Sequence, residues 1–173
     1  MEKVKFGIIG VGNMGSVHLG FFREGKIRNG VCTAIADTNP DKLTAARQNQ
    51  PGAYQCYDSG VELIEKADVD AVIIAVPHYD HPPLAERAFR RGLNVLCEKP
   101  AGVYTKQVKE MNAAAEKSGK LFTMMYNQRT NPLYKKMHAI VADGGIGSIR
   151  RVNWLITNWF RTQFYYDSGS WRA

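Results

Sequence analysis

The alternation of apolar and polar positions divides the chain near residue 125. Before that point, short runs rich in β-branched residues alternate with longer amphipathic stretches, which is typical of a parallel sheet with crossover helices. The predicted strands are Val4–Ile9, Val31–Asp37, Tyr54–Tyr57, Ala71–Val76, Asn94–Cys97 and Leu121–Met125. The predicted helices are Met14–Arg23, Pro40–Gln48, Val61–Lys66, Pro83–Arg91 and Lys106–Ser118. This order predicts an α/β domain over residues 1–125, built on a doubly wound parallel sheet.

The pattern changes after Tyr126. The Asn131-Pro132 pair predicts the start of a helix that runs to Ala142. The segment from Ile149 to Trp159 then alternates as a strand does, although neither of its faces is wholly polar. We expect residues 126–173 to begin a second, incomplete α/β domain. Its uncovered strand would leave an exposed apolar surface and an unpaired edge, through which the chain could form a homo-oligomer.

Composition excludes several classes of protein. Of the 173 residues, 45% are apolar and 23% are charged, which indicates a folded globular protein and excludes a disordered or collagen-like chain. No apolar run is long enough for a membrane span, and the first residues make a poor signal peptide, so a cytoplasmic location is expected. Cys32, Cys56 and Cys97 are odd in number and far apart, which argues against a disulfide framework or a zinc site and predicts buried thiols. We expect no metal site.

The net charge of +7 raises the question of nucleic-acid binding. The charge is uneven, because residues 1–122 carry 16 basic and 14 acidic side chains, whereas residues 123–173 carry 7 and 2. The basic residues of the tail are spread over several predicted elements and match no nucleic-acid-binding motif. We therefore expect neither a nucleic-acid partner nor a membrane partner.

A glycine-rich turn follows the first predicted strand. The segment Gly10-Val11-Gly12-Asn13-Met14-Gly15 fits GxGxxG and opens the first predicted helix, which is the placement of the Rossmann fingerprint. The start of a helix offers unpaired N–H groups and a partial positive charge to a pyrophosphate. The alternative is a glycine-rich turn that holds no ligand. The residues expected to contact a dinucleotide are Gly10, Gly12, Asn13, Met14 and Gly15.

An acidic residue ends the second predicted strand. Asp37 lies 22 residues after Gly15, where the fingerprint has an acid that accepts hydrogen bonds from the adenosine ribose. Its carboxylate would repel the 2′-phosphate of NADP, and the next residues, Thr38 and Asn39, include no arginine to receive that phosphate. The sequence therefore favours NAD over NADP. The alternative is that Asp37 only caps the helix that starts at Pro40.

Charged and polar residues follow the fourth and fifth predicted strands, at the sheet edge where ligands bind in this architecture. The fourth strand runs into Val76-Pro77-His78-Tyr79-Asp80-His81, and the fifth runs into Glu98-Lys99-Pro100. A partly buried lysine there can act as an acid or polarise a developing alkoxide. The Lys99-Pro100 bond is a candidate for the cis form. The alternative is that Glu98 and Lys99 are simply solvated loop residues.

Taken together, these motifs resemble the glucose-fructose oxidoreductase, inositol dehydrogenase and rhizopine-catabolism (Gfo/Idh/MocA) family. The resemblance spans essentially the whole chain, and Glu-Lys-Pro is its most specific element. It rests on Gly10–Gly15, Val76–His81, Arg91–Pro100, Asn127-Gln128-Arg129 and Gly145-Ile146-Gly147.

The resemblance implies roles for particular residues. Lys99 would touch both the nicotinamide ribose and the substrate hydroxyl as the catalytic lysine, and Glu98 would lie beside the cofactor. His81 would lie in the turn over the nicotinamide, which also contains Val76 and Pro77. His78 replaces an asparagine that many members have, a departure that affects the local cofactor contact.

The same resemblance implies an NAD-dependent dehydrogenase of a sugar, cyclitol or related polyol. Family members run to roughly twice this length, and their catalytic histidine belongs to a motif beyond Ala173. His18 and His138 fall in predicted helices, where a surface or packing role is expected. We therefore expect the cofactor half of an enzyme, which binds NAD but has no dehydrogenase activity alone. The alternatives are an NAD-dependent glycoside hydrolase of the same family and a non-catalytic dinucleotide-binding module.

The tail supplies candidates for substrate contact. Aromatic faces and arginine side chains suit sugar rings, hydroxyls and carboxylates. The alternative is that the aromatic residues belong to the core of the second domain. The candidates are Arg129, Trp159, Arg161, Tyr165 and Tyr166.

Overall fold

A six-stranded parallel sheet forms the centre of the first part of the molecule. The computed structural model describes residues 2–169. The strands are β1 (Val4–Ile9), β2 (Gly30–Ala36), β3 (Gln55–Tyr57), β4 (Ala71–Ile74), β5 (Asn94–Cys97) and β6 (Phe122–Met124). They lie in the order β3-β2-β1-β4-β5-β6, and every pair is parallel. The predicted doubly wound fold is confirmed, and the carboxyl ends of β1, β2, β4 and β5 lie along one edge.

Helices cover both faces of this sheet. They are α1 (Asn13–Arg23), α2 (Pro40–Asn49), α3 (Gly60–Lys66), α4 (His81–Arg90) and α5 (Thr105–Ser118). On one face Leu19 of α1 and Leu43 of α2 pack against Ile8 and Ile35. On the other face the apolar side chains of α3, α4 and α5 pack against β1, β4 and β5, and they include Leu63, Phe89 and Met111. Burial on both faces explains why β4 is apolar at every position.

Local chemistry sets the ends of the helices. Asn39 caps α2, because its side-chain oxygen accepts a hydrogen bond from the Asp41 N–H at 2.9 Å. Gly119 ends α5 in a left-handed conformation with φ of +66°. Helix α4 begins at His81 rather than at the predicted Pro83, because a proline in the first turn of a helix interrupts no hydrogen bond.

The chain divides into two compact units, Met1–Met125 and Tyr126–Ala173. The described part of the second unit contains α6 (Pro132–Ala142) and α7 (Gln163–Asp167). Asn131 caps α6 by accepting a hydrogen bond from the Leu133 N–H at 2.9 Å.

The predicted strand from Ile149 to Trp159 is wrong. These residues form neither strand nor helix, and no strand lies in residues 126–169 to pair with them. Alternating side chains indicate that a segment suits a sheet, but a strand forms only when its N–H and C=O groups find a partner. The Trp154 ring instead lies 5.7 Å from the Tyr134 ring, centroid to centroid. The described residues therefore contain no tail sheet, and the homo-oligomer stays a prediction.

Among residues 2–169, no helix is both long and apolar enough to cross a membrane.

Candidate functional site

The fingerprint turn is packed so tightly that two of its glycines admit no side chain. A Cβ on Gly15 would lie 1.7 Å from the Gly10 carbonyl oxygen, and a Cβ on Gly10 would lie 2.6 Å from the Ala75 carbonyl oxygen. Gly10 also has φ of +89°, a backbone conformation that favours glycine. The turn is therefore held against the end of β4.

Gly12, the middle glycine, faces more open space. The nearest described atom to a Cβ built there is Lys42 Nζ, at 3.8 Å. Gly12 is also the N-cap of α1 and provides no side-chain cap, so the first N–H groups of the helix are available to a ligand. Asn13 and Met14 form the first turn of α1 beside this space, and Met14 is exposed. This arrangement suits the close approach of a pyrophosphate.

Asp37, directly after β2, is buried and makes several hydrogen bonds. Its Oδ2 accepts from the Val11 N–H at 2.9 Å, and its Oδ1 accepts from the Asn39 N–H at 2.9 Å. The carboxylate therefore connects the fingerprint turn to the start of α2. Asn39, not Asp37, caps that helix, so the alternative reading of Asp37 as the cap is wrong.

Sequence reasoning missed Lys42, a cation at the same place. Its Nζ lies 3.4 Å from Asp37 Oδ2, and its side chain is 44% exposed, against 7% for Asp37. Lys42 lies beyond Thr38 and Asn39, the residues directly after Asp37 in which a phosphate ligand was sought. Lys42 lies in the first turn of α2, which brings it back over the end of β2.

His81 holds two loops together. Its ring is fully buried, with Nδ1 2.7 Å from the Pro100 carbonyl oxygen and Nε2 2.9 Å from the Val76 carbonyl oxygen. The expectation that His81 contacts the cofactor is therefore corrected, because its side chain presents no surface to a ligand. It instead fixes the turn after β4 against the turn after β5.

His78 lies on the accessible side of the same turn. Its ring centroid is 5.9 Å from that of His81. Burial lowers the pKa of His78 below its ordinary value, and the charges of His81 and Lys99 lower it further. The neutral imidazole is therefore favoured beside Lys99. Val76 is half-buried and Pro77 is exposed in this turn.

Glu98 and Lys99 face opposite ways after β5. Lys99 is exposed at the sheet edge, whereas Glu98 is buried. The Glu98 carboxylate accepts hydrogen bonds from His18 Nε2 at 2.8 Å and from the Lys99 N–H at 3.3 Å. Burial raises the pKa of Glu98, but the hydrogen bond and charge of His18 and the contacts with Lys99 outweigh it, so the pKa lies below its ordinary value.

The Lys99-Pro100 bond is cis, the form for which the sequence made it a candidate.

His18 has the packing role that was one of the two roles expected for it, because the structure buries it against Glu98. What sequence reasoning missed is its contact with a residue of the site. A signal was present, because a residue three positions after Gly15 lies on the same side of the helix as that glycine. What the sequence lacks is any indication of its partner, which is 80 positions away.

Four of the tail candidates lie together in the second unit. The Arg161 guanidinium carbon lies 5.3 Å from the centroid of the Trp159 ring and 4.6 Å from that of Tyr165. Tyr166 packs edge to face on Tyr165, with ring centroids 5.3 Å apart. Arg129 lies separately, in an exposed 3₁₀ turn at Asn127–Thr130.

Comparison with known proteins identifies the family. Residues 4–126 match the Gfo/Idh/MocA family, described as an oxidoreductase family with an NAD-binding Rossmann fold. The chain belongs to this family. The resemblance inferred from the motifs is thereby confirmed, and the chain corresponds to the cofactor-binding portion of these oxidoreductases.

Individual relatives agree with this membership. The chain is 32% identical over 151 residues to the inositol 2-dehydrogenase of Rhizobium meliloti (strain 1021), a match that covers 86% of this chain and 44% of that protein. It is 29% identical over 154 residues to the rhizopine catabolism protein MocA of Rhizobium meliloti, covering 88% and 47%. The chain thus spans less than half the length of these relatives.

Solved structures match the fold. The WlbA dehydrogenase of Bordetella pertussis, in complex with NADH and UDP-GlcNAcA, aligns with a TM-score of 0.87 at 26% identity, over 99% of this chain and 51% of that one. The scyllo-inositol dehydrogenase of Lactobacillus casei, with bound NAD(H) and scyllo-inositol, aligns with a TM-score of 0.78 at 26% identity, over 84% and 43%.

Proposed function

We propose that residues 1–125 bind NAD(H) and form the cofactor domain of a dehydrogenase that acts on a cyclitol, a sugar or a related polyol. Residues 126–173 then begin its substrate domain. The observation that carries the proposal is the open space over Gly12, beside a helix start that has no side-chain cap. Several of the relatives are named as dehydrogenases of inositol or of another diol, which supports the polyol class over the glycoside hydrolase alternative.

The cofactor contacts follow from the position of each residue. The backbone of Gly10–Gly15 and the start of α1 would hold the pyrophosphate. Asp37 would accept a hydrogen bond from the adenosine ribose, and its carboxylate favours NAD over NADP. Val76, Pro77 and His78 would line the nicotinamide side, while Glu98 and His81 act indirectly by holding the turns in place.

Lys99 is proposed as the catalytic residue of this domain. A nicotinamide held beside Val76, Pro77 and His78 would supply the hydride acceptor for oxidation of a carbinol to a carbonyl group, with release of one proton. The Lys99 ammonium lies exposed at the sheet edge and would stabilise negative charge on the substrate oxygen as the O–H proton leaves. His78, whose lowered pKa favours a neutral ring, adds no second positive charge there.

Substrate contact in the second unit is proposed for Arg129, Trp159 and Arg161. Trp159 is 70% exposed, and the Arg161 guanidinium lies over its ring. An aromatic face with an adjacent cation suits a polyhydroxylated or acidic ring.

Calorimetric titration of this chain with NAD⁺ and NADH tests the first part of the proposal, and both should bind. An assay for NADH formation over myo-inositol, scyllo-inositol, glucose and a nucleotide sugar tests the second. We expect no turnover from residues 1–173 alone and turnover from a form that carries a complete second domain. Absence of NAD⁺ binding would overturn the proposal. Binding without turnover by the longer form would favour the non-catalytic module, and glycoside cleavage without net NADH would favour the hydrolase.

A further inference from the structure

Two exposed tyrosine rings contact each other in the turns that follow β4 and β5. Tyr79 belongs to the 3₁₀ turn His78–Asp80, and Tyr104 directly precedes α5. Their ring centroids are 6.2 Å apart and the angle between the ring planes is 60°, which is an edge-to-face contact. The two residues, here called the tyrosine pair, are 58% and 57% exposed. Aromatic side chains that are exposed together beside a candidate site indicate a binding surface.

The turns that carry the tyrosine pair are fixed in place. The Pro100 carbonyl oxygen, in the turn before α5, lies 2.7 Å from the buried ring of His81 at the start of α4. Gly102 packs against the same helix start, because a Cβ built on it would lie 2.9 Å from Pro82 Cγ. Helices α4 and α5 also contact each other along their lengths. A ligand that contacts both rings therefore does not need to order them first.

The tyrosine pair adjoins the residues proposed to hold the nicotinamide and to perform the chemistry. His78 directly precedes Tyr79, and the charge of Lys99 is close enough to lower the pKa of His78. Lys99 begins the loop that leads to Tyr104. Five residues of chain span at most about 18 Å. The pair therefore borders the position proposed for the reacting carbon.

The chemistry of the tyrosine pair suits a carbohydrate ring. The C–H groups of a sugar ring can pack on an aromatic face, and a phenol hydroxyl can donate to and accept from the sugar hydroxyls. A purely apolar partner would bury the two phenol hydroxyls without hydrogen bonds, which is costly. A ligand with both C–H faces and hydroxyl groups satisfies both parts of each tyrosine side chain.

From this placement we infer that Tyr79 and Tyr104 form a sugar-binding subsite beside the reacting position, and that the substrate is a glycoside with one ring at Lys99 and a second ring on the tyrosine pair. The inference rests on the proposed function, because it requires the first ring to lie at Lys99. It narrows the substrate class from a free cyclitol or monosaccharide to a compound of at least two linked rings, oxidised at a carbinol of the first.

The test measures carbohydrate binding to this chain in the presence of saturating NAD⁺. Saturation-transfer NMR titrations compare two disaccharides, cellobiose and maltose, with two single-ring compounds, methyl β-glucoside and myo-inositol. Tyr79→Leu and Tyr104→Leu each remove one ring and retain an apolar side chain, whereas Tyr79→Phe loses only the hydroxyl. Phe21→Leu, at an exposed position on α1, is the control for the loss of an aromatic ring. Circular dichroism and calorimetric titration with NAD⁺ establish that each variant is folded and binds the cofactor.

At least one disaccharide should bind the unsubstituted chain roughly three- to tenfold more tightly than either single-ring compound, which is the range of one aromatic contact. Tyr79→Leu and Tyr104→Leu should each remove most of that difference and change the affinities for NAD⁺ and for the single rings by less than about twofold. Tyr79→Phe should lose less than Tyr79→Leu, because the aromatic face remains. Phe21→Leu should leave all affinities unchanged.

The possible failures are distinguishable. Equal affinities for disaccharides and single rings would overturn this inference alone, as would a disaccharide preference that survives in both leucine variants. Equal weakening of single rings and disaccharides by the leucine variants would place the pair on the first ring and also overturn it. A chain that binds NAD⁺ but none of the four carbohydrates would overturn it as well. Failure of the unsubstituted chain to bind NAD⁺ would overturn the proposed function together with the inference.

Discussion

His18 Nε2 donates a hydrogen bond to Glu98 Oε1 across 2.8 Å, and the two side chains are only 6% and 7% exposed. The pair joins α1, which begins at the fingerprint turn, to the turn that carries Lys99. Glu98 also accepts from the backbone N–H of Lys99. The part of the site proposed to hold the pyrophosphate and the part proposed to perform the chemistry are therefore connected through one buried contact.

Removing either member of this pair should destabilise the first domain. We expect Glu98→Ala or His18→Ala to lower the free energy of unfolding by roughly 3–5 kcal/mol, because each leaves a polar partner buried without its counterpart. The double variant should lose less than the sum of the single losses. Urea unfolding of the chain measures this, with Glu116→Ala, at an exposed position on α5, as the control. Single losses below about 1 kcal/mol would show that the contact resembles an exposed pair.

Stability should also fall with acidification. The pKa of Glu98 lies below its ordinary value of 4.5, so its contribution is present above pH 4.5 and is lost as the pH falls through the lower, folded-state value. The pKa of His78 lies below 6.5, so its contribution likewise decreases as the pH falls below 6.5. Urea unfolding at a series of pH values should show a decline below pH 6.5 that is shallower in His78→Gln. Constant stability from pH 7 to about pH 5 would contradict the His78 shift, and constant stability from pH 4.5 to about pH 3 would contradict the Glu98 shift.

Two glycines of the same helix should respond in opposite ways to alanine. Gly15→Ala should abolish NAD⁺ binding and destabilise the domain, because the new Cβ would lie 1.7 Å from the Gly10 carbonyl oxygen. Gly20→Ala places its Cβ 4.0 Å from the nearest neighbour, the flexible end of Glu24, and should stabilise the helix by about 0.5–1 kcal/mol. Calorimetry and thermal unfolding measure the two effects. Retained NAD⁺ binding in Gly15→Ala would mean that the turn does not form the dinucleotide site.

Asp37 should control the preference between the two dinucleotides. NAD⁺ should bind the unsubstituted chain more tightly than NADP⁺, and Asp37→Ser should narrow that difference by an amount on the order of 1–3 kcal/mol. The variant also loses the acceptor of the Val11 N–H, so part of the change will be weaker binding of NAD⁺ itself. Titration of both cofactors against both proteins measures the difference. Equal affinities in the unsubstituted chain would contradict the role of Asp37.

Lys99 should matter for turnover and not for cofactor affinity. In a form of the protein that oxidises a polyol, Lys99→Ala should lower turnover by about two to four orders of magnitude, because the charge on the reacting oxygen loses its cation. NAD⁺ affinity, measured on residues 1–173, should change little. Lys109→Ala, at an exposed position on α5, is the control. A Lys99→Ala variant that keeps most of its turnover would show that Lys99 is only a solvated loop residue.

The elements that sequence predicted well are those whose signal is local. The apolar run of β4 and the GxGxxG turn between β1 and α1 report on a few adjacent residues, and both were located to within two residues. The buried states of Cys32 and Cys97 were also predicted, and burial raises the pKa of each thiol to about 12. Cys56 is only half-buried.

What sequence could not predict depends on long-range pairing. The partner of His18 is set by how α1 packs on the sheet, which brings His18 against the residue that follows β5, and the proximity of Lys42 to Gly12 is set by how α2 returns over the sheet. The prediction of a strand from Ile149 to Trp159 was wrong because strand formation also depends on a partner that is distant in sequence. The alternating side chains of this segment suited a sheet, but no described strand pairs with it. The periodicity of apolar residues describes a single segment, whereas a tertiary contact depends on two segments of the chain.

The contacts of His81 also affect the entropy of ligand binding. Because one buried imidazole bridges the carbonyl groups of Val76 and Pro100, the turns after β4 and β5 are fastened together before any ligand arrives. In the proposed site, a dinucleotide between these turns would not need to order them, so little of its binding free energy would be lost in restricting loop motion. His81 would thus preorganise the proposed site without itself contacting the dinucleotide.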